Sequence, residues 1–246
     1  GPSELGGLIL APGYRGHAQK LGKTLSMIRF HFIGLQPHQF NERMLAEMMG
    51  RISPDSQNLL WDYLGRRFIN LSYKEADLFC QQSKEFMTAL FPREPIYASL
   101  LPPEARNLIA RESDETGPAR RMLERQGFEY KGHIDPFDGG PYLEAVRDEI
   151  PLVAATKQCD LTGPLTGAGK SMGIVSCEGD QGFRSVQTPF TMRGAGIRIS
   201  AEAMEAIGAT RGSAVGVTEL PKKASSKSGK SSKSGKSGKS GKLKKS

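Results

Sequence analysis

Pro118-Ala-Arg-Arg-Met-Leu-Glu-Arg-Gln-Gly-Phe128, running on through Glu129 to Ile134, is the stretch that decides the fold. Proline is accepted in a first helical turn, Ala119, Met122 and Leu123 share one face, and Gly127 supplies a left-handed terminator. The pattern predicts a helix over 118–126 and a strand over 128–134. Working outward, Leu21, Leu25, Ile28 and Phe32 recur at helical spacing within 20–34, and the short apolar run Gly6 to Leu10 ahead of them predicts a buried strand. Arg43 to Met49 is a second strand candidate. Ser53-Pro54-Asp55 is expected to open a helix carrying Leu59, Leu60, Trp61 and Leu64, with Gly65 as its stop. In Ser72-Tyr-Lys-Glu75 the hydroxyl and the carboxylate can satisfy free amides at a helix start, a capping box. A short helix follows Pro102-Pro103.

Beyond residue 150 the pattern changes to short β-leaning runs broken by glycine over 172–199, a capped helix from Ser200 to Gly208, and an alternating strand from Gly212 to Leu220. The expectation is an α/β (α+β) chain: helices on a mixed sheet over 1–150, a linker over 151–171, and a small β-barrel-like module over 172–220. Residues 221–246, rich in lysine, serine and glycine, are expected to be a disordered tail because almost nothing in them can be buried.

Of the 34 Lys and Arg among 246 residues, ten are lysines of this tail, so the first 221 residues carry 24 basic against 26 acidic side chains. The net charge of +8 therefore does not describe the folded body, and a basic nucleic-acid platform there is disfavoured. The tail itself could make weak polyanion contacts. Cys80, Cys159 and Cys177 lack the spacing of a metal knuckle or redox pair, and His17, His31, His38 and His133 are scattered, so no metal site is expected. With no long apolar run, a reducing, cytoplasmic setting without membrane contact is expected. Gly163 to Ser171 approaches a phosphate loop, but Pro164 stands where that motif needs glycine. The chain opens Gly1-Pro2 and is read as a processed or trimmed piece.

Two segments make sense as an ordered pair. Arg15-Gly16 with Leu21-Gly22-Lys23 at a helix start forms a receptor for a pyrophosphate, and the 118–134 helix-strand unit follows. Together they resemble the second half of the N-acetyltransferase superfamily (GNAT-like) fold. Over about residues 3–220 the chain resembles the arginine N-succinyltransferase family. The resemblance is carried by Leu10-Ala-Pro-Gly-Tyr-Arg15, Ala46-Glu47-Met48 with Gly50, Leu64-Gly-Arg-Arg-Phe68, Pro95-Ile96-Tyr97, Pro118-Ala-Arg120, and Ile134-Asp-Pro-Phe-Asp-Gly-Gly-Pro141. That resemblance implies an acyl-CoA N-acyltransferase moving succinyl from succinyl-CoA to the α-amino group of arginine, in arginine catabolism. It implies Leu8, Arg15, Gly16, Gly22 and Lys23 as coenzyme contacts, and a bulge at Gly6-Gly7 exposing an amide to an oxyanion.

Several positions depart from the family. The loop before Gly22 is longer, with His17-Ala18-Gln19 in the place of a glycine, and Met49 replaces an arginine. Ser113 falls where the family has its histidine proton donor, which makes His133 the replacement acid to test. Glu47 is a candidate for ammonium binding or as base. Asp135 and Asp138 are read either as turn-forming side chains or as a guanidinium site. The family's amino-terminal third has no counterpart, which would leave Gly6 to Leu10 as an open edge, so the expectation is either a fragment of a longer protein or a homo- or hetero-oligomer in which a separate chain supplies the missing half. A second reading is a catalytically silent relative, a binding module tethered by its lysine tail to nucleic acid or an acidic partner.

Overall fold

The computed structural model describes residues 1–80, 82, 85–180 and 182–221. The first sheet has the order β1-β2-β4-β3, built from β1 (Ser3–Glu4), β2 (Arg43–Glu47), β3 (Glu129–Ile134) and β4 (Pro141–Val146). β2 runs parallel to β1 and antiparallel to β4, with Glu47 opposite Tyr142. Met44, Ala46, Leu143 and Ala145 alternate onto one buried face. Against it lies α1 (Leu21–Leu35), which contributes Phe30 and Ile33 to the same core.

Between β2 and β3 the chain makes a π-helical turn (Trp61–Gly65) continuing into α2 (Arg66–Phe68), then α3 (Tyr73–Cys80), α4 (Glu85–Leu90), α5 (Pro103–Arg106) and α6 (Gly117–Glu124). The capping box at Ser72 is formed, the Ser72 amide donating to Glu75 at 2.8 Å and the Glu75 amide to Ser72 Oγ at 3.3 Å. Gly127 takes φ 81° after α6, as its position predicts.

After α7 (Pro151–Ala154) comes a closed barrel of β5 (Thr156–Pro164), β6 (Ser171–Gly179), β7 (Gly182–Arg193), β8 (Gly196–Ile199) and β9 (Ala214–Glu219), with α8 (Ala201–Ala206) closing it. Its order is β5-β8-β7-β6-β9, and Leu161, Val175, Phe190, Ile197 and Val215 fill the interior. The barrel bears directly on α1. Buried His31 bonds Thr218 at 2.6 Å through Nδ1 and Ser176 at 2.7 Å through Nε2. A side chain at Gly216 would meet Leu35 at 2.5 Å, so glycine there admits the helix.

Three expectations are corrected, and one strand is added. Gly6 to Leu10 is not a strand: pairing ends with the Leu5 amide on Leu45 O, Gly7 turns left-handed at φ 66°, and Ile9 is 81% exposed. Gly65 does not stop its helix. It is right-handed, and a Cβ there would fall 2.3 Å from the Trp61 ring, so packing is what requires glycine. The stretch 151–171 is no linker, because α7 and β5 occupy it and β5 pairs on both sides within the barrel. Strand β4 was not anticipated. The tail, 222–246, lies outside the described residues.

Candidate functional site

The Phe137-Asp-Gly-Gly-Pro141 string forms a pinned corner where β4 begins. The Asp138 carboxylate accepts the Gly50 amide through Oδ2 and the Gly140 amide through Oδ1, both at 2.7 Å. Its carbonyl accepts Asn58 Nδ2 at 3.0 Å, and Asn58 Oδ1 takes the Trp61 amide at 2.8 Å. Asp135 Oδ1 accepts the Phe137 amide at 2.7 Å. The Phe137 ring stacks on Trp61, centroids 4.5 Å apart. At Gly140 a Cβ would sit 1.9 Å from Met48 O, so the corner closes against the end of β2 only with glycine.

This corner, the end of β2 and α3 enclose an open cleft of about 800 Å³. Its walls include Glu47, Tyr73, Asp77, Asp135, Asp138 and Tyr142. The Tyr142 hydroxyl is hydrogen-bonded to Glu47. Burial is the main cause that pushes the Tyr73 and Tyr142 phenols up, and carboxylates add to it: Asp138, Asp77 and Asp135 at Tyr73, Asp135, Glu47 and Asp138 at Tyr142. Burial also raises the Asp138 carboxyl, against its two amide bonds. Lys74 is the cation on the wall. Glu47, Asp77 and Asp135 around one recess, with the amide-bound Asp138 behind them, make a receptor for a cationic ligand.

Of the predicted site residues, Glu47, Asp135 and Asp138 meet in this cleft. Asp138 serves chiefly to hold the corner, since both oxygens are taken by backbone amides. Ser113 and His133 do not line it. Ser113 Oγ lies 3.0 Å from Thr116 Oγ1 and accepts the Thr116 amide at 3.3 Å, ordering the approach to α6. His133, 64% exposed in its side chain on β3, contacts Glu144 at 2.7 Å, a carboxylate also held by Arg43. Arg15 and Gly16 sit on the exposed loop before α1, with Arg15 Nε donating to Leu10 O at 3.3 Å. Gly22 and Lys23 are in the first turn of α1, after a left-handed Lys20 at φ 54°. Leu8 is partly exposed where the chain leaves β1. Tyr73, Asp77 and Tyr142 were missed as site residues. The capping box places Tyr73 and Asp77 four residues apart on α3, and that spacing was the available signal.

A second cleft, of about 880 Å³, lies between the first turns of α1 and the barrel, with Lys20, Lys23, Met27, Lys170, Met172 and Gln187 among its walls.

The mixed sheet and the closed five-stranded barrel together are similar in fold to a solved succinyltransferase subunit. The chain is similar to subunit AI of the arginine/ornithine succinyltransferase from Pseudomonas aeruginosa, with a TM-score of 0.68 and 26% identity over 86% of this chain and 60% of that one. A family model described as arginine N-succinyltransferase beta subunit matches residues 1–152. Arginine N-succinyltransferase from Yersinia pestis (strain Pestoides F) is 32% identical over 228 residues, 89% of this chain and 65% of the relative. That from Citrobacter koseri is 38% identical over 162 residues, 65% of this chain and 46% of the relative. The chain belongs to the arginine N-succinyltransferase family. It spans about 65% of the length of the Yersinia pestis and Yersinia pseudotuberculosis relatives.

Proposed function

We propose that this chain forms the acceptor cleft, and part of the donor site, of an acyltransferase moving a succinyl group from succinyl-CoA to the α-amino group of arginine. The observation that carries this is the set of four carboxylates, Glu47, Asp77, Asp135 and Asp138, round one recess. A guanidinium and an ammonium on one small molecule are the ligand such a recess suits. The reaction is aminolysis of a thioester. A C–N bond forms, the C–S bond breaks, the ammonium must first lose a proton, and the departing thiolate gains one.

Glu47 is the base in this reading, because it stands at the strand end inside the cleft with the Tyr142 hydroxyl bonded to it. Asp77 and Asp135 hold the guanidinium. Tyr142 fixes the Glu47 carboxylate and is a weak acid, its burial opposing ionisation. The loop from Arg15 to Lys23 suits the diphosphate of the donor, since it carries three cationic side chains, Arg15, Lys20 and Lys23, around a helix start. Leu8, beside the end of β1, suits the acyl arm. The enzyme works in the cytoplasm, and β1 is an edge strand of the sheet on which further strands can pair. The comparisons offer no support for the binding-module reading.

The test is thiol release from succinyl-CoA by the full-length protein in its native assembly, with arginine as acceptor. Glu47→Gln is expected to lower kcat/KM by about 10²–10⁴-fold at unchanged CoA affinity. Absence of thiol release across a panel of acyl-CoAs and cationic amines would sink the reading.

A further inference from the structure

The cleft between α1 and the barrel has a composition opposite to that of the acceptor recess. Lys20 and Lys23 come from the start of α1, and Lys170 from the residue before β6, so cations reach it from two sides. None of the three has an ion-pair partner among the described residues. Lys170 is held in place by its backbone: its amide donates to Phe190 O at 3.0 Å and lies 3.2 Å from Thr191 Oγ1. Thr24 Oγ1 donates to Gln187 Oε1 at 3.1 Å, tying α1 to β7 across the cleft. Met27, Met172 and Val186 supply apolar wall, and Ser171 and Ser185 supply hydroxyls. The nearby carboxylate of Glu219 is engaged by Ser171 Oγ at 2.6 Å and does not line the cleft.

Unpaired ammonium groups over an apolar floor suit a ligand that joins a phosphate to a flat ring. Lysine binds phosphate as a point charge, and methionine adapts to a planar surface. We propose that this cleft holds the 3′-phosphorylated adenosine end of the acyl-CoA, with Lys170 of the barrel contacting the 3′-phosphate. The barrel then belongs to the donor site rather than standing beside it. This rests on the acyl-CoA reading above, and it adds which part of the chain discriminates the donor.

The experiment measures equilibrium binding of coenzyme A and of 3′-dephospho-coenzyme A to the full chain by calorimetry. Wild type is expected to favour coenzyme A by about tenfold or more, the scale of one charge-assisted contact. Lys170→Ala should lose about that factor for coenzyme A and nothing for the dephospho form, so that the preference disappears. Lys170→Arg should retain it, as should Lys157→Ala, a barrel lysine outside the cleft. Melting curves of each variant separate misfolding from lost contact. An unchanged preference in Lys170→Ala would overturn the barrel's role and leave the acyl-CoA reading standing. Failure of wild type to bind either coenzyme would overturn both.

Discussion

The two clefts differ in charge and in how they are built. The acidic recess gathers Glu47, Asp77, Asp135 and Asp138 around a corner tied by backbone amides. The α1–barrel cleft gathers Lys20, Lys23 and Lys170 across a seam between two packed units. A near-neutral body has thus sorted its charges into two wells of opposite sign. An average over the chain conceals that arrangement. A cationic acceptor and an anionic donor would be drawn to separate places, which is what a two-substrate transfer needs.

The strongest way to break this contrast is Gly140→Ala. A Cβ there would sit 1.9 Å from Met48 O, backbone that cannot step aside, so the acidic corner should open at a cost of about 4 kcal/mol or more. Urea unfolding would report it, and a loss under about 1 kcal/mol would mean the corner is not pinned as described.

The seam has its own weak point at His31. Burial holds its pKa near 4 against an ordinary 6.5, so the folded state keeps it neutral between Thr218 and Ser176. The unfolded chain takes up the proton first as pH falls. This contribution is therefore complete above pH 6.5 and is lost progressively down to about pH 4, by roughly 3 kcal/mol. In His31→Gln that part of the pH slope of stability should vanish, and an equal slope in both proteins would refute the assignment.

Asp77→Asn sharpens the contrast from the acceptor side. The KM for arginine should rise about tenfold while coenzyme A affinity stays the same, the mirror image of Lys170→Ala. The smallest effect is expected for His133→Ala. The ring is largely exposed and outside the recess, so stability should shift by no more than about 0.5 kcal/mol and kcat/KM less than tenfold. A hundredfold loss would return His133 to the chemistry as an acid.

What was legible in the sequence was local. The capping box at Ser72, the left-handed Gly127 and the capped helix after Ser200 each depend on residues a few positions apart, and each is present; α1 is present too, but it buries Phe30 and Ile33 rather than the Leu21-Leu25-Ile28-Phe32 face, and Leu25 is exposed. The barrel character of the last part was legible too, from its glycine-broken β runs. Its first strand was not, because Thr156–Pro164 is fixed by partners in β8 and β9, far along the chain. Strand β4 shows no clean alternation, since Leu143, Glu144 and Ala145 are buried in succession and the strand follows directly on the turn residues of the corner. Gly6 to Leu10 looked like a strand on apolar content alone, and it lacks a pairing partner beyond Leu5. Among site residues, Glu47, Asp135 and Asp138 were picked individually. Their convergence with Asp77 and the two tyrosines depends on how α3 folds against the end of β2.

One helix, α1, is shared by both halves: Phe30 and Ile33 lie under the sheet, while His31 and Leu35 press on the barrel. Cutting the chain at the sheet's end would strip solvent protection from the helix and leave an imidazole without its hydroxyls. The two halves should therefore appear as a single calorimetric transition, and excising the barrel would yield a piece prone to aggregate rather than a smaller folded unit.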